Sequence, residues 1–261
     1  ETLADGRVYL GEYRNGQRHG VGTMLEKAGG RVVYSGTWAG GQFHGAGVSV
    51  QRISSAARLA DSAPGDSTIS DADVGEGGSE CSIQYEGSFH RGRRHGFGTL
   101  SNDADDTSYK GRWYHNRPVS GKWRIRREDG AVYSGRARGE IDDAEMQNLE
   151  GSTSSLPSLA RISSSGSIAS EIPPVTVVQS RVILPFVPPI PDGFGTMKYA
   201  NGDVYIGNFY MGERRGHGMC VFTNGDKWEG DWTRDSLDMN GDGTLSLVDG
   251  TVLTYKRAST A

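Results

Sequence analysis

Residues 9–22 have the sequence YLGEYRNGQRHGVG, a pattern that returns along the chain. Tyrosine, glycine and a second aromatic ring stand at alternate positions, which is the two-residue period of a β-strand. Asn15-Gly16 follows, a pair typical of tight hairpin turns because such turns need positive φ angles. A second alternating run begins at residues 20–22. The segment therefore predicts two antiparallel strands joined by a two-residue turn.

The same pattern returns with identical spacing from Tyr34, Tyr85 and Tyr205. Fixed spacing at several places indicates a repeat architecture. Weaker copies begin at Tyr109, Tyr133 and Trp228, which gives about seven hairpins. We predict an all-β fold, an elongated antiparallel meander of consecutive hairpins with disordered or loosely packed insertions. The expected repeat core consists of aromatic rings and the glycines beneath them: Tyr9, Gly11, Tyr13, Gly20, Gly22, Tyr34, Gly36, Trp38, Gly45, Gly47, Tyr85, Gly87, Phe89, Gly96, Gly98, Tyr109, Gly111, Trp113, Tyr205, Gly207, Phe209, Gly216, Gly218, Trp228, Gly230 and Trp232.

The composition agrees with this fold class. Glycine contributes 39 of 261 residues, about twice its usual share of roughly 7%, and a glycine inside a helix costs about 1 kcal/mol relative to alanine. No apolar run is long enough to span a membrane, and no apolar signal segment stands at the N-terminus. Two cysteines, Cys81 and Cys220, cannot form a disulfide framework and suit a reducing compartment. The net charge of −4 argues against bulk binding of nucleic acid.

The repeated residues resemble the MORN repeat over about residues 7–50, 85–140 and 192–255. The shared motif is Tyr-x-Gly-x-aromatic, then Gly, then His-Gly-x-Gly, then Asn-Gly. The resemblance implies a curved sheet that serves as a scaffold for partner proteins, including cytoskeletal and flagellar ones. Some members of the family associate with membranes or phosphoinositides, and the resemblance implies this as a second kind of interaction. Together with the absence of an apolar signal segment, the resemblance implies a cytoplasmic location, either at the cytoskeleton or at the membrane periphery.

Two insertions set the predicted boundaries. The first is rich in Ser, Ala, Asp and Gly, which predicts a flexible acidic loop. The second splits the fifth hairpin, whose first strand begins at Tyr133 and whose second strand resumes at residues 193–196. The predicted organisation is repeats 1–2 at 1–50, the first insertion at 51–82, repeats 3–4 with the first strand of repeat 5 at 83–140, the second insertion at 141–191, the remainder of repeat 5 with repeats 6–7 at 192–257, and a tail at 258–261.

The second insertion contains two distinctive segments. Residues 142–149 predict a short helix, and residues 182–191 are apolar and rich in proline. Pro185, Pro188 and Pro191 would share one face of a polyproline II helix. Two hypotheses fit this segment: it docks into a groove of a partner, or it packs as an internal strap on the aromatic face. Its apolar character favours the strap.

Strand alternation also predicts a basic surface opposite the aromatic rings. Seven cations of repeats 4 and 5 fall between core positions, and three arginines lie near the turn of repeat 3. Two anionic occupants fit: an acidic protein such as tubulin, or a lipid headgroup, since each cation near an anionic membrane contributes about 1 kcal/mol. Two alternatives remain: the acidic insertions neutralise the surface, or it is a solvated face without a partner. The candidate residues are Arg91, Arg93, Arg94, Lys110, Arg112, Lys122, Arg124, Arg126, Arg136 and Arg138.

Candidates for metal binding and catalysis are weak. Asp238, Asn240, Asp242 and Asp249 have the spacing of an EF-hand calcium loop, but the flanking sequence is β-like where an EF-hand needs helices. We therefore predict neither a metal nor a cofactor. No Cys-x-x-Cys, phosphate-binding loop or nucleophile motif is present, which predicts a chain that is not an enzyme.

The sequence thus predicts a non-catalytic scaffold for protein–protein interaction whose partner it does not name. One alternative is a peripheral membrane or phosphoinositide-binding module. Another is the targeting part of a larger enzyme such as a phosphoinositide kinase. Self-association is a further expected interaction, because the end strands of a sheet have unpaired edges.

Overall fold

In the computed structural model, residues 1–27, 30–53, 81–151, 177–178, 181–182, 186–238 and 241–256 are described. Strands dominate, and the described helix is α1 (Asp143–Gly151). The strands in chain order are β1 (Val8–Arg14), β2 (Gln17–Leu25), β3 (Val32–Ala39), β4 (Gln42–Ile53), β5 (Cys81–His90), β6 (Arg93–Asn102), β7 (Thr107–Tyr114), β8 (Arg117–Pro118), β9 (Gly121–Arg126), β10 (Val132–Arg138), β11 (Val177–Val178), β12 (Arg181–Val182), β13 (Ile190–Lys198), β14 (Val204–Tyr210), β15 (Glu213–Val221), β16 (Lys227–Thr233), β17 (Ser236–Leu237), β18 (Gly243–Ser246) and β19 (Val252–Tyr255).

The predicted all-β meander is confirmed. Seventeen strands form one antiparallel sheet in meander order, and β11 pairs with β12 separately. The split fifth hairpin closes because β10 pairs with β13 across the second insertion. Strand β4 continues to Ile53 and β5 begins at Cys81, so both strands extend into the segment predicted as the first insertion. The predicted short helix is present as α1.

The hairpin turns have the geometry that the sequence predicts. Asn15 and Gly16 have φ angles of 51° and 73°, and Arg91 and Gly92 have 49° and 77°. Positive φ at both central residues is the type I′ arrangement, whose twist matches that of paired strands.

Five repeat tyrosines lie over a floor of glycines, namely Tyr9, Tyr34, Tyr85, Tyr133 and Tyr205. Tyr85 is 1% exposed, and a Cβ atom added to Gly98 would lie 2.2 Å from its hydroxyl oxygen. The same hydroxyl donates a hydrogen bond to the Ser88 carbonyl oxygen at 3.2 Å. Burial raises the pKa of Tyr34 and Tyr205 to about 12. These tyrosine rings therefore fit because the glycines beneath them carry no side chain.

Neighbouring rings meet mainly edge to face. The Trp38 centroid lies 5.0 Å from that of Tyr9 in the preceding repeat and 5.2 Å from that of Tyr34 in its own. Tyr13 departs from the predicted core, since it is 44% exposed. It contacts the ring of Tyr9 in its own repeat edge to face, and its hydroxyl donates a hydrogen bond to the Glu1 carboxylate.

The chain divides into two compact units. Unit 1 comprises the described residues of Glu1–Asp105, Trp113–Arg117 and Gln147–Val187, and unit 2 those of Asp106–Arg112, Pro118–Met146 and Pro188–Ala261. Within unit 1, the strap hypothesis finds support at Phe186, whose ring contacts Trp113 edge to face at 5.0 Å.

The prolines near this contact differ in environment. Pro188 is exposed whereas Pro191 is buried, and Pro185 lies outside the described residues. The described prolines of the predicted PxxP face are therefore not presented together.

Candidate interaction surfaces

The back of β7, β9 and β10 in unit 2 carries a dense row of cations. Each strand alternates buried core residues with exposed basic ones, as in Trp123 and Ile125 against Lys122 and Arg124. The parity predicted from the sequence is therefore present in all three strands. We call the exposed set the basic surface: Lys110, Arg112, Lys122, Arg124, Arg126, Arg136 and Arg138.

Carboxylates neutralise part of this surface. Arg126 pairs with Asp106 at 2.5 Å, and Arg138 pairs with Asp192 at 2.5 Å. Asp143 at the start of α1 lies 3.2 Å from Arg136. Because Asp143 belongs to the second insertion, the predicted neutralisation of the basic surface by that insertion occurs at one end of the surface. Exposed pairs of this kind contribute about 0–1 kcal/mol each.

Three cations of the basic surface have no carboxylate partner among the described residues: Lys110, Lys122 and Arg124. Lys110 stands opposite Arg124 in the register of β7 and β9, and Lys122 stands opposite Arg136 in that of β9 and β10. Like charges on directly opposite residues repel. This part of the surface therefore keeps positive charge that an anionic partner can neutralise.

Lys198 extends the row, although the sequence analysis omitted it. It is exposed, stands opposite Val132 of β10, and alternates with the buried Met197. The two-residue period of β13 is the signal that could have identified it.

Arg94 does not belong to the basic surface. It is 8% exposed, and its guanidinium carbon lies 4.9 Å from the Trp113 ring centroid on the aromatic face. Arg18 and Arg214 occupy the same repeat position and lie 4.9 and 4.3 Å from Trp38 and Trp232. A stacked arginine is thus a recurrent part of the core, which the sequence analysis did not find.

Arg91 and Arg93 are exposed and belong to unit 1, whereas the basic surface lies in unit 2. Beside these arginines, four half-buried histidines form a row. Ring centroids are 5.2 Å apart for His44 and His90, 5.4 Å for His90 and His95, and 5.3 Å for His95 and His115. We call these six residues the His-Arg row.

Burial and nearby cations lower the pKa of two of these histidines. For His90, burial has the largest effect, followed by His44 and Arg91. For His115, burial again comes first, followed by Arg93. Both rings therefore favour the neutral form in the folded chain. His44 and His95, which occupy the same repeat position before a glycine, also belong to this row.

The described residues of the EF-hand-like segment lie beside β-strands and not between helices. Residues 243–246 form β18, so Asp242 stands at its start and Asp249 lies in the turn beyond its end. Asp249 accepts the Thr251 backbone N–H at 2.8 Å, and this bond lowers the pKa of its carboxyl group. Asn240 lies outside the described residues. Across the described chain, no group of three or more His, Cys, Asp or Glu side chains could hold a metal ion.

Both cysteines are buried, and neither forms a disulfide bond. Burial raises the pKa of the Cys220 thiol, which disfavours the reactive thiolate. No described helix is long and apolar enough to cross a membrane.

Comparison with known proteins finds one family. The MORN repeat model matches residues 9–25, 34–50, 85–103, 190–204 and 205–227. These stretches begin at or near the strands that carry the tyrosine or Gly-x-Gly positions described above. No curated protein matches the chain.

Proposed function

Because this chain is a MORN-repeat protein, we propose that it is a non-catalytic scaffold that holds an acidic protein partner on its basic surface. All-β MORN folds are typically non-catalytic, which supports the first part of the proposal. The partner class that we favour is cytoskeletal, and tubulin is the acidic protein chosen for the first test.

The observation that carries the proposal is the exposed charge at Lys110, Lys122 and Arg124, which lack carboxylate partners among the described residues. A cluster of one sign accelerates association with an oppositely charged partner and disfavours partners of like charge. Because exposed charges are screened within about 8 Å at physiological salt, binding should weaken as salt concentration rises.

The rigid setting of these side chains also supports a docking role. Strand β9 is held on both sides, by β7 and by β10. Buried Trp123 anchors it, with its indole N–H donating to the Val119 carbonyl oxygen at 2.8 Å. A surface on such strands loses little backbone freedom when a partner binds, so less free energy is lost to ordering.

The test is co-sedimentation of the full chain with polymerised tubulin at low and physiological salt. We expect salt-sensitive binding that falls at least tenfold in the triple variant Lys110→Glu, Lys122→Glu and Arg124→Glu. The matched control reverses three exposed cations elsewhere: Arg14→Glu, Lys227→Glu and Arg234→Glu. Equal loss in both triples would show a net-charge effect and contradict a defined surface.

A second candidate function is binding to anionic membranes through the same surface. Phe194, which is 63% exposed, favours it. The neighbouring Gly193 lies against the Arg136 side chain, since an added Cβ would be 3.2 Å from its Cδ. An exposed aromatic ring beside a cation suits the membrane interface.

Liposomes with and without phosphoinositide distinguish this candidate from the scaffold. Binding only to anionic liposomes, lost in Phe194→Ser and in the basic-surface triple, would favour the membrane function. Binding to tubulin but to neither liposome would favour the scaffold.

A further inference from the structure

The His-Arg row in unit 1 gathers cationic and titratable groups from three hairpins. Strand β4 contributes His44, and the β5–β6 hairpin contributes His90, Arg91, Arg93 and His95. The turn after β7 contributes His115, whose ring lies 4.4 Å from that of Tyr114 and 6.1 Å from that of His90.

Neither Arg91 nor Arg93 has an ion pair in the described part of the chain. The nearest acidic residue along β5 is Glu86, which is four residues from His90 and therefore about 13 Å away along the strand. The charged groups that lower the pKa values of His90 and His115 are cationic ones.

We propose that the His-Arg row is a docking site for an extended acidic polypeptide segment, and that acidification strengthens its binding. The site goes beyond the proposed function, because it belongs to the other unit and does not require the basic surface. The row therefore adds a second, pH-dependent contact for a protein partner.

The dimensions of the row suit an extended chain. Because the His90 ring lies 5.2 Å from that of His44 and 6.1 Å from that of His115, the histidine rings span at most about 11 Å. Carboxylates on alternate residues of an extended segment are about 6.8 Å apart, so two of them can lie along it. The rings are half-buried between hairpins, where a chain can lie along them, whereas a flat membrane contacts mainly protruding groups.

The pH dependence follows from proton linkage. Without a partner, burial and the adjacent cations keep His90 and His115 neutral to lower pH than usual. Bound carboxylates favour the imidazolium form, so binding takes up protons and strengthens as pH falls. Arginine stays charged throughout and supplies the affinity that remains at high pH.

The test uses the full chain and a ten-residue glutamate peptide, measured by calorimetry at pH 8.0 and pH 6.0. Glutamate, with an ordinary pKa of about 4.3, stays charged at both values, so a change in affinity reports the protein. We expect at least tenfold tighter binding at pH 6.0, with heats that vary with the buffer because protons are taken up.

Variants assign the effect to individual residues. His90→Gln with His115→Gln should retain the affinity measured at pH 8.0 and lose its dependence on pH. Arg91→Gln with Arg93→Gln should weaken binding at both pH values. His19→Gln with His217→Gln, outside the row, is the matched control and should behave as the parent chain. His44→Gln alone, at the end of the row, provides a milder variant if the double substitution unfolds the chain.

Three results would overturn the proposal. Equal affinity at both pH values would remove the proton linkage. A pH dependence that persists in the His90 and His115 variant would place it elsewhere. Acid-dependent binding to vesicles containing phosphatidylserine, without binding to the peptide, would make the occupant a membrane.

Discussion

The β5–β6 and β14–β15 hairpins share an internal frame and differ in their surroundings. In each, a buried or half-buried arginine lies over the tryptophan of the next hairpin, Arg94 at 4.9 Å from Trp113 and Arg214 at 4.3 Å from Trp232. The backbone of the following turn donates to the carbonyl oxygen of the arginine in both cases. This arrangement, an arginine over the next tryptophan with its carbonyl oxygen bonded to the following turn, is present in both units and is called the shared frame.

The two arginines donate their backbone N–H groups to different side chains in the following turn. Asn116 accepts the Arg94 backbone N–H at 2.9 Å through a neutral amide. Asp235 accepts the Arg214 backbone N–H at 2.8 Å and its guanidinium at 3.1 Å through a carboxylate. Unit 1 therefore lacks at this turn a negative charge that unit 2 provides.

The histidines follow the same division. His217 in unit 2 lies 3.8 Å from Glu229 and 3.7 Å from Asp231. In unit 1, His90 and His115 lie beside arginines instead. The comparison shows that the inner face is fixed by packing, while the residues of the outer face and turns set the charge that a partner meets.

The largest expected effect tests the shared frame. Gly98→Ala and Gly218→Ala should each destabilise the chain by about 3 kcal/mol, because the new Cβ would lie 2.2 and 2.3 Å from the hydroxyl oxygens of Tyr85 and Tyr205. Urea unfolding measures the loss. Gly16→Asn is the control, since nothing lies within 4 Å of a Cβ there and asparagine tolerates its φ of +73°. Markedly unequal losses of unfolding free energy at the two sites would contradict a shared frame.

The stacked arginines should give the next largest effect. Arg94→Met and Arg214→Met preserve most of the side-chain volume but remove the charge and the hydrogen bonds, so each should cost about 2 kcal/mol. Arg93→Met, on the exposed side of the same turn, should change stability by less than about 0.5 kcal/mol. Chemical denaturation of the three variants supplies the measurement, and a silent Arg214→Met would contradict a common role.

A smaller difference should separate two tryptophans of unit 2. The Trp232 indole N–H donates to the Gly218 carbonyl oxygen at 3.1 Å, whereas the buried Trp228 indole nitrogen has no acceptor among the described groups. Both lose similar volume on replacement by phenylalanine. Trp232→Phe should therefore cost about 1 kcal/mol more than Trp228→Phe, as judged from urea midpoints. Equal costs would show that the hydrogen bond is not what distinguishes them.

The smallest effect is a pH dependence of unit 1. The pKa values of His90 and His115 are lower in the folded chain than the ordinary value, so the unfolded chain binds more protons below about pH 6.5. Stability should fall as pH decreases from about 7 to 5. His90→Gln with His115→Gln should reduce the difference between urea midpoints at pH 7.5 and pH 5.5. An unchanged difference would assign the acid sensitivity to other groups.

Local spacing predicts most of this fold. Hairpins, their turns and the exposed face of β7, β9 and β10 follow from alternation within single strands. The prediction failed at Arg94, which its proximity to the turn had placed on the surface. It stands four residues before Gly98 and lies on the aromatic face with that glycine. A register shift between Gly87 and Phe89 brings it opposite Phe89.

The His-Arg row could not be predicted in the same way. Its members come from three hairpins, and their proximity depends on the register of β4 against β5 and on the turn at His115. Such contacts between strands do not leave a period in the sequence. Tyr13 has the spacing of a core residue but is exposed, and the spacing within its own strand does not reveal this.

The pairing of β10 with β13 has a consequence for how the chain folds. Most strands pair with a strand that follows after a short turn, but β10 ends at Arg138 and β13 begins at Ile190. Closing a loop of this length costs about 3 kcal/mol more in entropy than closing a two-residue turn. We therefore expect this hairpin to form late, after the neighbouring hairpins have folded. Shortening the insertion should accelerate refolding and leave the basic surface and the His-Arg row unchanged.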